Sequence, residues 1–91
     1  MRMEPLREYL NSLGQSGQAA FAIECGTTIG YLRKALSVGV ALNPLFCVSI
    51  ERNSLGAVRR WDLRPNDWSK IWPELIGIDG APPVPMVERA A

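Results

Sequence analysis

The chain has 91 residues, enough for one small domain and too few for two. Apolar residues make up 47% of it, which supports a packed core and argues against global disorder. Histidine is absent, removing the commonest general base and metal ligand, and ten Lys+Arg against nine Asp+Glu leave a net charge of only +1.

Helical punctuation dominates the chain. A first helix is predicted from Pro5 to Leu13: proline suits a first turn, and Leu6, Tyr9, Leu10 and Leu13 recur at helical spacing. Gly14 ends it, and Ser16 is placed to cap a second helix whose apolar face is Ala19, Ala20, Phe21, Ala22, Ile23 and Cys25. Gly26 breaks that helix. Thr27 or Thr28 then caps a third, running to about Leu36 or Ser37 with Ile29, Leu32 and Leu36 inward. After Gly39, Asn43-Pro44 is a cap followed by an N1 proline, starting a fourth helix with Leu45, Val48 and Ile50 as its apolar face.

Beyond Gly56 the texture changes. Ala57 to Trp61 reads as a short extended segment. Arg64-Pro65 stops any helix, and Asn66-Asp67 opens one or two further turns carrying Trp68, Ile71 and Trp72. From Gly77 on, Gly80, Pro82, Pro83 and Pro85 predict a flexible tail. The expected organisation is a helix-turn-helix domain over residues 1–76 and a Pro/Gly-rich tail over 77–91. The fold class is mainly α, a bundle of four to five short helices with a C-terminal extended segment.

Gln18, Ala22, Gly26, Ile29 and Leu32 stand in helix-turn-helix register. Ala22 lies where two helices cross, and a larger side chain there forces them apart. Gly26 supplies the left-handed conformation of a sharp turn. Gln18 opens the second helix, where its amide and the free backbone N–H groups suit a DNA phosphate. On the third helix the outward residues are Thr28, Gly30, Tyr31, Arg33 and Lys34, with Thr27 beside them in the turn. Arg33 and Lys34 have the reach for guanine edges or phosphates, Thr28 for a base, and Gly30 permits close backbone approach. Tyr31 either packs on the helix rim or touches the sugar-phosphate backbone. Residues 26–70 hold seven Lys/Arg against three Asp/Glu, a net +4, between flanks that are weakly negative; on charge alone this reads as a solvated basic surface before it reads as an anion-facing side.

Further along stand Asn43-Pro44, Cys47, Ile50-Glu51, Gly56-Ala57-Val58, then Asp62-Leu63-Arg64-Pro65-Asn66-Asp67-Trp68 and Ile71-Trp72-Pro73-Glu74-Leu75. With the helix-turn-helix, this run resembles the YdaS-like, Cro-like family of small phage and prophage regulators over roughly Leu6 to Leu75. The closing "LRPxDW…WPEL" stretch is its most specific part. The resemblance implies a lambda-repressor-like helical fold, a homodimer on double-stranded operator DNA, and transcriptional repression. It also admits an antitoxin that neutralises a partner toxin by protein contact. The chain departs from the family pattern at Ile29, Gly30 and Ala35, so no operator sequence carries over.

Trp68 is expected in the core. Val58, Arg60, Trp61 and Trp72 are candidates for a dimer interface, in which an edge strand over Ala57 to Trp61 pairs with its copy. Arg59, Arg60 and Arg64 are either phosphate clamps or solvated charges. Cys25 and Cys47 read as small core residues; they lack zinc-site spacing and are too few for a disulfide scaffold. No paired carboxylates, phosphate loop or nucleophile with a base stands out, so an enzyme, a cofactor and a metal are not expected. Glu4, Arg7 and Glu8 stand where a signal peptide would be apolar, and no apolar run has membrane length, so a cytoplasmic, nucleoid-associated protein is expected.

Overall fold

The computed structural model of the protein describes residues 3–84. Five helices follow in order: α1 (Glu4–Glu24), α2 (Ile29–Val38), α3 (Pro44–Asn53), α4 (Arg60–Leu63) and α5 (Trp68–Ile71), with a closing 3-10 turn at Pro73–Leu75. Helix α1 is two helices in one span. Gly14 interrupts it at φ 74° and ψ 170°, a conformation essentially reserved for glycine, so the two arms bend at the position the sequence marks. Ser16 lies inside the second arm, not at its cap.

The local start signals act as their chemistry dictates. The Thr28 hydroxyl oxygen accepts the Tyr31 backbone N–H at 3.1 Å and the Asn43 side-chain amide oxygen accepts that of Phe46 at 3.1 Å. Each satisfies a donor that the first helical turn leaves unpaired.

One core joins all the elements. Leu6 and Leu10 from the first arm of α1 meet Phe21, Ala22 and Cys25, then Leu32, Ala35 and Leu36 of α2, and Leu42, Cys47 and Ile50. Val58, Trp61, Leu63, Trp68, Trp72 and Leu75 close it. The faces are narrower than expected. Ala19, Ala20 and Ile23 are exposed, because a stretch apolar all round still presents only 21, 22 and 25 to one side at 3.6 residues per turn. Leu45 is likewise exposed, and α3 buries Cys47 and Ile50 instead.

The extended segment over Ala57 to Trp61 does not form. No strand occurs among the described residues, and Arg60–Leu63 is a helical turn. The Asp62 carboxylate accepts the Arg59 backbone N–H at 2.9 Å and so starts that turn, while Trp61 packs edge-on against Trp68 at 5.8 Å. The beginning of the expected tail is also structured: the Ile78 N–H donates to the Leu75 carbonyl, the Ala81 N–H to that of Ile78, and Ala81 packs on the core. The rest of the expected tail, residues 85–91, lies outside the described residues.

Helix α3 ends unusually. The Gly56 N–H donates to the Glu51 carbonyl and the Leu55 N–H to that of Arg52, a Schellman closure with a leucine at φ 55° in the slot that favours glycine. The Leu55 side chain is 93% exposed, so it gains little there. Leu55→Gly is expected to raise stability by about 0.5–1 kcal/mol, as relief of the left-handed strain outweighs the added freedom of the unfolded chain. A higher urea midpoint with unchanged slope checks this.

Arg64 ties the loop before α3 to the start of α5. Its guanidinium donates to the Leu42 carbonyl at 2.6 Å and grips Asp67 through two bonds of 3.0 and 2.8 Å. The Arg64 hydrogen bond holds the Asp67 carboxyl below its ordinary range. A depressed folded-state value stabilises the protein above the ordinary carboxylate pKa of about 4 and is lost as pH falls below it. The pair is partly solvated, so the effect is no more than about 1 kcal/mol. Asp67→Asn should therefore lower the melting temperature slightly at neutral pH and flatten its fall below about pH 4.

Candidate nucleic-acid interface

The second arm of α1 and α2 are two helices joined by a tight turn at Gly26, where the sequence predicts one. The Thr27 N–H donates to the Ala22 carbonyl and the Gly26 N–H to that of Ile23, each at 2.9 Å, with Gly26 at φ 87°. This double closure reverses the chain in the fewest residues, and only glycine takes that φ without strain. Ala22 is fully buried where the two helices meet, and Leu32 is fully buried beneath α2. From the far side, Asn53 on α3 donates to the Glu24 carbonyl at 3.4 Å, which braces the end of α1.

The outer side of α2 carries Thr28, Gly30, Tyr31, Lys34, Ser37 and Val38, all exposed. Spacings of three and four residues put them in one stripe. No acidic residue occurs between Glu24 and Glu51, so nothing in that run repels an anion. The Thr28 oxygen is engaged as a cap, leaving its O–H to donate outward. Gly30 is exposed, and a Cβ there would meet only the Thr28 hydroxyl oxygen, at 3.9 Å, so the backbone is accessible on that side. The Tyr31 ring leans on Phe46 at 5.7 Å while remaining 46% exposed, which joins the start of α3 to the same face. Thr27 is half-buried and contributes its backbone N–H to the turn.

Gln18 and Arg33 come together. One terminal nitrogen of Arg33 donates to the Gln18 side-chain oxygen at 2.8 Å and to that of Asn11 at 3.2 Å. Sequence reasoning missed Asn11. Its signal is the seven-residue spacing to Gln18, which becomes meaningful only once Gly14 bends the helix between them.

The middle of the chain spends three of its five arginines internally. Glu51 receives Arg59 at 2.8 Å and Arg60 at 2.7 Å, though neither Nε–H points along a hydrogen-bond direction. The same guanidiniums lie over indole rings, Arg59 on Trp61 at 4.6 Å and Arg60 on Trp72 at 5.2 Å. Arg64 is taken by Asp67. The three carboxylates of residues 26–70 thus all lie against this group, and Arg33, Lys34, Arg52 and Lys70 are the cations there with no carboxylate within 4.0 Å among the described residues.

Val58, Trp61 and Trp72 are buried in the chain's own core, and Arg60 is paired with Glu51 of the same chain. There is no edge strand at 57–61 through which a copy would pair. Burial pushes the Cys47 thiol up to about 11 against the opposing pull of Arg64, and burial raises that of Cys25 as well. Both remain protonated near neutrality, as structural thiols do. No described helix is long and apolar enough to cross a membrane.

Compared with family models, curated proteins and solved structures, the chain has no match.

Proposed function

We propose that the protein is a sequence-specific DNA-binding regulator of the lambda-repressor-like class, a YdaS-like, Cro-like repressor that binds operator DNA as a homodimer with α2 in the major groove. The observation that carries this reading is the stripe along α2: Thr28, Gly30, Tyr31 and Lys34 exposed together on a helix braced from behind, in a run without a single carboxylate. A major groove about 12 Å wide admits a helix of about 10–12 Å diameter, and those residue types donate to phosphates and base edges. Two copies follow from size, since one such domain covers a half-site and a twofold pair spans two of them one turn apart.

A mobility-shift assay on the DNA flanking the protein's own gene tests this. The wild type is expected to prefer that DNA to random duplex, with affinity falling steeply between 50 and about 200 mM salt. Lys34→Ala should weaken binding about tenfold at moderate salt. Equal affinity for random duplex overturns operator recognition, and an unchanged Lys34→Ala variant places another helix in the groove.

A further inference from the structure

We infer that Asn11, Gln18 and Arg33 form one preorganised phosphate-binding site at the bend of α1, and that Arg33 acts there as a backbone clamp and positioning residue, not as a base reader. The inference rests on the DNA-binding reading for its natural ligand and on geometry for the site itself.

A guanidinium only donates hydrogen bonds. Asn11 and Gln18 must therefore turn their carbonyl oxygens toward Arg33, as both distances show, and their NH2 groups away from it. Arg33 uses two of its five N–H donors in these bonds, both from one nitrogen, and leaves three without a partner among the described residues. Its charge is uncompensated, unlike those of Arg59, Arg60 and Arg64, because what orients it is neutral. A cation held by neutral acceptors, with three donors still free, is suited to an oxyanion, and little conformational entropy is left to lose when one binds.

The bend makes this possible. In a straight helix Asn11 and Gln18 are about 10.5 Å apart along the axis. Here their oxygens converge within 3.2 Å of a single nitrogen, across the Gly14 break. Arg33 is half-buried and turned toward α1, one position off the exposed stripe that contains Lys34. The two adjacent cations thus divide the work: Lys34 lies over the groove, and Arg33 grips the strand beside it while locking both arms of α1 to α2.

Gln18→Glu separates the clamp from the brace. The new carboxylate still accepts from Arg33, so the melting temperature should hold or rise. It cancels the site's charge and removes the Gln18 amide donors. Duplex affinity should then fall about tenfold, and the slope of log affinity against log salt should shrink by about one. Asn11→Asp provides the same test if Gln18→Glu folds poorly. A second arm uses inorganic phosphate against chloride at equal ionic strength: phosphate should move the Arg33 Nε–H resonance of the wild type and not of Gln18→Glu. If phosphate moves that resonance while the wild type binds no duplex, the anion site stands and the DNA reading falls. Wild-type affinity and slope in a folded Gln18→Glu, or an Arg33 resonance indifferent to phosphate, overturns the site.

Discussion

Trp68→Ala is expected to cost the domain about 3–5 kcal/mol, the range for removing a large aromatic side chain from a packed core. Trp68 is 1% exposed and packs edge-on against Trp61. It belongs to a helix of only four residues, Trp68–Ile71, which has no stability of its own and exists because its side chains are buried. A domain of this length is stable by about 5–14 kcal/mol in all. The variant therefore loses between a quarter of its stability and most of it, and its melting temperature falls by about 12–40 °C. Trp68→Phe, which keeps an aromatic ring in place, should lose much less. Urea unfolding followed by circular dichroism decides: a loss under about 1 kcal/mol would mean that residues 60–75 do not close the core.

Glu51→Ala should have the next largest effect, a loss of about 2 kcal/mol. Two guanidiniums converge on this one carboxylate, and removing it leaves two like charges side by side, each pressed on an indole ring. Breaking a fully buried ion pair costs about 3–5 kcal/mol. Here the Arg59, Arg60 and Glu51 side chains retain 35%, 20% and 16% of their exposure, so solvent screens part of the penalty. Replacing Glu51, Arg59 and Arg60 together with methionine should recover most of the loss, because no charge is then stranded. If Glu51→Ala and the triple variant unfold at the same urea concentration, stranded charge is not what destabilises the single variant. Loss of DNA binding in the triple variant at full stability would restore Arg59 and Arg60 to the interface.

The residues that the sequence reveals and those it conceals differ in the range of their interactions. Thr28, Asn43, Gly14 and Gly26 were legible because caps and turns are decided within three or four residues: each side chain or φ satisfies a neighbour in the chain. The segment at 57–61 was misread for the converse reason. Val-Arg-Arg-Trp carries extended propensity, and what makes it turn is a carboxylate three residues on and an indole partner seven residues on. The arginines were the least legible. Arg33 finds its acceptors 15 and 22 residues away, and Arg59 finds Glu51 in a different helix.

By itself, then, the sequence determined a small, mainly helical chain, the Gly14 break, the ends of α1, α2 and α3 to within a residue or two, and a Gly26 hairpin with Ala22 at the crossing. These depend on backbone conformation and short-range hydrogen bonds, which local residue types dictate. Only the tertiary structure decided what the charges are for. A net of +4 over residues 26–70 says nothing about which cations face outward. Packing assigns Arg59, Arg60 and Arg64 to carboxylates inside the fold, leaves Lys34 exposed, and holds Arg33 between two neutral amides. Partnering of charges depends on distances between elements far apart in the chain, and those distances exist only once the core has closed.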